Sequence, residues 1–452
     1  MGRLCIVGLD CLTPQLAFDR FAHRMPTLTK LRTNGLSGLL ESSVPPITVP
    51  AWACMTTGYP PSRLGVYGFR DRKLGSYTER KLANSLSHDA PYLWDRLTDA
   101  NKSSLVLSVP LTWPARPLLG KMITGFLTPD DRQYASYPRD CLEKAESNHQ
   151  TLAFDIDGFR SGNHAEILEA CIALSTQQTE LYCEWLQTQA WDFAMRVDMG
   201  PDRMHHALWG AMQSQTDHPF KDAMGDYYEL LDKQLSQVVA CLNQNDTLMV
   251  VSDHGAQTME GAIALNQWLL DEGLLKLYQM PEQVESLDPE NVDWSQTKAW
   301  AAGGYVGRIY LNLESREPQG TIKPKDAPRF IDELLTKFTK LQTLANKPIE
   351  FKAHRPAQNW ENAQGHPPDV ILEIENYRYR ALGTIGYDSA LQRENDYGED
   401  GANHARHGLF VMNGPGIRSG EILGATLYDI APTVCSHFDL SHPEDWTGQV
   451  LK

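Results

Sequence analysis

Asp253 and His254 stand side by side at the end of "TLMVVSDHG", where an apolar run that reads as a buried strand stops at Ser252. A core strand has no packing use for an adjacent carboxylate and imidazole. The pair can ligate a cation, or the aspartate can cap a following helix. Gly255 sharpens the first reading, because a glycine lets the backbone turn closely around a bound group. "VGLD" delivers Asp10 to the same kind of position after the first apolar run. In "MGPDRMHHALW", Asp202 and His206 are spaced i, i+4, so a helix turns both toward one side and they can share an ion. His205 points elsewhere and reads as a neighbour. "GANHARHGLFVMNGPGI" places His404 and His407 in a Gly-bounded loop ahead of "LFVM", and either can ligate through a neutral ring nitrogen.

A hydroxyl joins these groups. In "PPITVPAWACMTTGYPPSRLG", Pro50 suits the first turn of a helix, which puts Thr48 just before or at its N-cap. A threonine there can cap. It can also serve as a nucleophile where the helix N-terminus favours a phosphate, provided a base or metal activates it. Thr56 and Thr57 are expected to be buried at the end of that helix. Three aspartates, three histidines and one threonine from distant segments make a nitrogen/oxygen donor set that suits Zn²⁺. Two ions ~4 Å apart can stabilise the attacking and leaving oxygens of a phosphoryl transfer.

The elements that must position these residues alternate. Apolar runs at 4–10, 103–110, 191–197, 247–253 and 369–375 read as strands, and 25–35, 164–189 and 221–243 as helices. This predicts an α/β architecture, a mostly parallel central sheet with helices on both faces and the chemistry at the carboxyl ends of the strands. Segments 127–163 and 276–365 break the alternation and read as edge insertions, possible lid segments, on one domain spanning 1–452.

Bulk properties narrow the function classes. The chain has 452 residues, 42% hydrophobic and 22% charged, with a net charge of −16 that disfavours a nucleic acid polymer as partner. Eight cysteines are scattered without a CxxC pair, which argues against a thiolate zinc site and against a disulfide framework. No run of ~18 apolar residues offers a membrane span, and no long apolar leader precedes the first strand. A cytoplasmic protein acting on a small molecule is the expectation, and oligomeric state is not encoded in any recognisable pattern.

With the motifs in order, the chain resembles the alkaline phosphatase superfamily, in particular its type I phosphodiesterase/nucleotide pyrophosphatase branch and the predicted phosphohydrolase/phosphomutase group within it. The stretches "IVGLD", "PPITVPAWACMTTGYPPSRLGVYGF", "MGPDRMHHALW", "VVSDHG", "GRIYLNLESREPQG", "PPDVILEI" and "HGLFVMNGPGI" carry the resemblance over nearly the whole chain. It implies an alkaline-phosphatase-like three-layer sandwich and two divalent metal ions, Zn²⁺ or Mn²⁺. One ion would be held by Asp10, Thr48, Asp253 and His254. The other would be held by Asp202, His206 and His404, which the family pattern, four positions before the glycine of "GLF", favours over His407. Thr48 would attack phosphorus to give a phospho-threonine that water hydrolyses, making the protein a phosphodiesterase acting on a small phosphate ester.

The sequence departs from that pattern in places. Nucleotide pyrophosphatases carry "HGI" and then an asparagine that donates to a phosphate oxygen; here Leu64-Gly65-Val66 and Phe69 stand instead. Tyr67, Phe69 and Arg70 are the candidates for substrate contact, with core packing as the alternative for the rings and surface solvation for Arg70 and Arg72. Asn312 and Arg316 read as a structural turn and ion pair, and His437 and His442 as incidental. A phosphomutase or phosphotransferase with the same site is the enzymatic alternative, and a non-catalytic metal-binding member of the fold is the other. The sulfatase pattern C/S-x-P-x-R does not occur at "TVPAW".

Overall fold

The computed structural model describes residues 2–148, 151–356 and 362–452. Within them the chain divides into two compact units. The first comprises 1–68, 83–256 and 404–452; the second comprises 69–82 and 257–403. The predicted insertion 127–163 lies in the first unit and 276–365 in the second, with residues 149–150 and 357–361 of these segments outside the described residues.

The first unit is built on a ten-stranded sheet. Its centre is Leu4–Leu9, flanked in parallel by Phe193–Asp198 and Thr247–Val251. Ser104–Val109 and Gly120–Thr124 extend it in parallel on one side. On the other side His407–Asn413 enters antiparallel beside Thr247–Val251, and Leu36–Glu41 pairs antiparallel with it in turn. The central strands Leu4–Leu9, Ser104–Val109, Phe193–Asp198 and Thr247–Val251 are buried throughout and mostly apolar because both faces are covered. Successive residues point to opposite faces. Cys5 meets the Tyr182 hydroxyl of helix His164–Thr188, at 3.2 Å, whereas Gly8 faces Trp52 of helix Thr48–Thr57. His164–Thr188 packs with Gly200–Gln213 and Ala223–Ala240 on one side; Thr48–Thr57 packs with Ile430–His437 on the other. The three-layer α/β architecture expected from the alternation is what forms. No helix among the described residues is long and apolar enough to cross a membrane.

The predicted strands at 4–10, 103–110, 191–197 and 247–253 all lie in this sheet. The fifth does not belong to it. Val370–Ile374 pairs antiparallel with Gly307–Leu311 and Phe351–His354 in a four-stranded sheet of the second unit. A short apolar run does not specify the direction of its partner, so periodicity alone could not have placed it. This sheet encloses a core of Trp268, Trp294, Trp300 and Phe338, on which Tyr77 stacks with its ring 3.6 Å from Trp294. Asn312 acts as a spacer there: its amide donates to the Trp294, Thr297 and Gln319 carbonyls and accepts from the Tyr77 hydroxyl at 2.8 Å. Arg316 pairs with Asp369 at 2.7 Å and with Glu317 at 2.8 Å, so both residues serve structure. The expectation of a solvated Arg72 is corrected. It is buried, bonded to Glu317 at 2.6 Å and laid over the Trp300 and Tyr310 rings, where a charge is tolerable because it is paired.

One close approach ties the first unit together. A Cβ on Gly8 would stand 2.6 Å from the Trp52 ring and 2.8 Å from Val197. Only a bare backbone lets that indole come so close to the strand. Gly8→Ala is therefore expected to overpack this contact and destabilise the protein by about 1–3 kcal/mol. The test is urea unfolding: the midpoint should fall with an unchanged slope, and further for Gly8→Val.

Candidate functional site

The carboxyl ends of three adjacent parallel strands supply most of the site. Asp10 follows Leu9, Asp253 and His254 follow Val251, and Asp202 and His206 lie on helix Gly200–Gln213, which opens directly after Asp198. The antiparallel strand His407–Asn413 has its start at this same end, which brings His404 there from the late part of the chain. Thr48 comes in on helix Thr48–Thr57. All seven residues are at most 2% exposed.

Their atoms converge. Thr48 Oγ1 lies 3.5 Å from Asp10 Oδ1 and 3.4 Å from His254 Nε2. His254 Nε2 lies 3.2 Å from Asp253 Oδ2 and 3.8 Å from Asp10 Oδ1. Asp202 Oδ1 lies 3.4 Å from both His206 Nε2 and His404 Nε2, which are 3.3 Å apart. Among the groups that could hold a metal ion are Asp10/Asp253/His254 and Asp202/His206/His404, two candidate ligand sets, each with its donor atoms within 4.8 Å of one another. The His254 and His404 rings stack between them at 3.9 Å.

Neighbouring groups orient the cluster. Trp52 Nε1 donates to Asp10 Oδ2 at 2.6 Å, and the Cys11 backbone N–H donates to Asp253 Oδ1 at 3.2 Å. Arg203 donates to Asp202 Oδ2 at 2.6 Å while its other nitrogens hold Asp155 at 2.7 and 2.8 Å. His404 Nδ1 meets the Pro46 carbonyl at 2.7 Å, and a carbonyl only accepts. The proton therefore sits on Nδ1 and the Nε2 lone pair faces Asp202 and His206.

The electrostatics are lopsided. Burial, then the nearby Asp202 carboxylate, pushes Asp10 well above the ordinary carboxylate range. Burial and the charge of Asp10 do the same to Asp253. Burial also acts to raise Asp202, but His206 beside it and Arg203 outweigh it and hold the group well below its usual value. Burial drives His254 well down and His404 to about 4, so both imidazoles are neutral bases. Asp202 Oδ1 and Asp253 Oδ2 are buried and make no hydrogen bond. Carboxylates crowded in this way, with neutral imidazole lone pairs turned toward them, fit cations that supply the missing positive charge.

Several expectations change in detail. Thr48 is the first residue of its helix, with Ile47 as N-cap, and its side chain caps nothing. The hydroxyl turns outward to Asp10 and His254 instead. His404 and His407 sit on the strands Ala402–Ala405 and His407–Asn413, not in a loop. The two strands nearly abut, so their ring directions differ: His404 is fully buried in the cluster, and His407 is half-buried and belongs to neither ligand set. His205 turns away to the Tyr228 hydroxyl at 2.8 Å, and Thr56 and Thr57 bond back to the Trp52 and Ala53 carbonyls. Tyr67 is buried in the first unit; Phe69, half-buried, and Arg70, exposed, begin the 69–82 segment of the second. The sequence reading missed Trp52, Arg203, Asp155 and the Pro46 carbonyl. Trp52 and Arg203 had a local signal, one helical turn after Thr48 and the next residue after Asp202; Asp155 and Pro46 are reached only through the fold.

Residues 4–409 match the family described as type I phosphodiesterase/nucleotide pyrophosphatase. Among curated proteins none is significantly similar to the chain in sequence. Among solved structures, a phosphonoacetate hydrolase of Sinorhizobium meliloti in complex with phosphonoformate superposes with a TM-score of 0.60 at 16% identity, over 95% of this chain and 94% of that one. Human ectonucleotide pyrophosphatase/phosphodiesterase 5 gives 0.57 at 13% identity over 98% and 97%. An inactive variant of the murine protein in complex with AMP gives 0.57 at 12% identity over 99% and 98%. These likenesses show an alkaline-phosphatase-like fold. The chain belongs to the type I phosphodiesterase/nucleotide pyrophosphatase family, whose members are phosphoric ester hydrolases.

Proposed function

We propose that the protein is a metal-dependent phosphodiesterase that cleaves a small-molecule diester through a phospho-threonine on Thr48. The observation that carries this reading is the position of Thr48 Oγ1, 3.4 Å from His254 Nε2 and 3.5 Å from Asp10 Oδ1, on the edge of one ligand set and at the start of a buried helix. Asp10, Thr48, Asp253 and His254 would hold one divalent ion, and Asp202, His206 and His404 the other. A donor set with three imidazoles favours Zn²⁺ over Mg²⁺, with Mn²⁺ as the alternative. Such ions, when bound, lower the pKa of a coordinated hydroxyl and stabilise the attacking and leaving oxygens.

The chain's own groups do the rest. Helix Thr48–Thr57 aims its positive end at the incoming phosphoryl group, which favours the anion before any bond changes. Asp10 Oδ1 takes the hydrogen bond of the Thr48 hydroxyl and so fixes its rotamer, while Trp52 Nε1 keeps that carboxylate from rotating. Thr48 Oγ1 then gives up its proton and forms a bond to phosphorus as the bond to the leaving oxygen breaks, and the leaving alkoxide takes up a proton to depart as the alcohol. Water attacks the phospho-threonine in the second half, releasing a monoester and restoring the hydroxyl. The absence of the family's phosphate-binding amide at Phe69 argues for esters other than nucleotides. Phosphonate esters belong in the substrate range to be tried.

Two measurements test the reading. Bis-p-nitrophenyl phosphate hydrolysis with added Zn²⁺ or Mn²⁺ is expected to exceed p-nitrophenyl phosphate hydrolysis, and Thr48→Ala should lower kcat/KM by roughly a thousandfold or more. Phosphorylation of Thr48 with transfer to an added alcohol, and little net hydrolysis, would favour the phosphotransferase alternative. No turnover despite bound metal would favour a non-catalytic member.

Chelation should also be visible without substrate. Stripping the protein with EDTA is expected to lower its thermal midpoint, and Zn²⁺ to restore it, since an ion at about a thousand times its Kd stabilises by about 4 kcal/mol. Asp202→Asn or His206→Ala should reduce the recovered shift. An unchanged midpoint on chelation and readdition would contradict the two-ion reading.

A further inference from the structure

Cys11 follows Asp10 and is fully buried. Its Sγ and one ring nitrogen each of His254 and His404 lie within 4.8 Å of one another, a third ligand set beside the two already described. His254 also belongs to the Asp10/Asp253 set and His404 to the Asp202/His206 set, so the sulfur stands where the two sets meet. Two buried carboxylate oxygens of those two sets make no hydrogen bond: Asp253 Oδ2, 3.2 Å from His254 Nε2, and Asp202 Oδ1, 3.4 Å from His404 Nε2. The Cys11 backbone N–H is tied to Asp253 Oδ1, which fixes where the side chain begins. Among the described residues no other cysteine joins such a set.

A thiol whose only task is packing sits among apolar groups, and this one faces imidazoles and carboxylates. Thiolate sulfur binds zinc at about 2.3 Å and imidazole nitrogen at about 2.0–2.1 Å, so two such donors on one tetrahedral ion stand roughly 3.6 Å apart, inside the span observed. We propose that Cys11 is a thiolate ligand at the junction of the two ligand sets, an inference that rests on the metal-dependent reading of this centre. Its thiol proton leaves to solvent as the sulfur–metal bond forms. One soft donor in a nitrogen/oxygen centre shifts its selectivity toward thiophilic ions such as Zn²⁺, Co²⁺ and Cd²⁺ and away from Mg²⁺ and Mn²⁺. The absence of a CxxC pair therefore does not exclude sulfur, because the fold assembles this donor with histidines hundreds of residues away.

Absorption spectroscopy of the full-length protein titrated with Co²⁺ separates this proposal from the reading beneath it. Visible d–d bands report Co²⁺ in the site whatever its ligands; a near-ultraviolet sulfur-to-cobalt charge-transfer band reports the thiolate. The expected result is both bands in the wild type, with the charge-transfer band lost and the d–d bands retained in Cys11→Ser. Cys11→Gly should behave alike, and it guards against misfolding because Cys11 has φ +62°, a conformation that glycine adopts freely. Visible bands without a charge-transfer band, or with one that survives both substitutions, would overturn the role of Cys11 and leave the metal centre standing. No visible bands at all would overturn both.

Discussion

Three aspartates and three histidines lie together, each at most 1% exposed, and this concentration of charge is the constraint to which the rest of the first unit answers. Isolated buried carboxylates cost several kcal/mol each unless something compensates them. The chain compensates one and leaves two. Asp202 has Arg203 on one oxygen and His206 facing the other, and its carboxyl is held well below the ordinary range. Asp10 accepts from the Trp52 indole and the Thr48 hydroxyl and Asp253 from a backbone N–H, and burial together with the charge of neighbouring carboxylates disfavours their ionisation. The protein thus neutralises one half of its site by itself and leaves the other half dependent on what binds.

Such a cluster needs a rigid frame, and the sheet supplies it. Three parallel strands end in register, so residues far apart in the chain arrive at one level. The reversed strand His407–Asn413 adds a histidine from the opposite chain direction without an additional crossover. Gly8 allows Trp52 to lie against the sheet, and Trp52 in turn reaches Asp10. The same helix therefore delivers both Thr48 and the donor that steadies the carboxylate beside it.

Much of this was legible in the sequence, for definable reasons. Asp10 and the Asp253–His254 pair interrupt apolar runs, which gives them away. Asp202 and His206 are exposed by their i, i+4 spacing, and Thr48 by its place beside Pro50. Family resemblance, more than any local pattern, chose His404 over His407, and it named the Thr48 chemistry. What stayed hidden depends on tertiary contact. Arg72 looks like any surface arginine in a polar segment until Glu317 and two aromatic rings enclose it. Asp155 and the Pro46 carbonyl carry no signal at all until the chain has folded around Arg203 and His404. The division at 257 and 403 was hidden as well, since no linker composition marks it.

The reversed strand also imposes a timetable on synthesis. Every sheet partner of Leu36–Glu41 lies beyond residue 406: His407–Asn413, Gly420–Glu421 and Ala425–Thr426. A nascent chain emerging from the ribosome can form the Leu4–Leu9 neighbourhood once residue 251 is out. The strand that precedes Thr48 must then wait, unpaired, for nearly the whole remainder of the polypeptide. His404 arrives in that same closing event. The hydroxyl and the last imidazole are thus assembled together and late, so an incomplete chain carries fragments of the centre but never the centre itself.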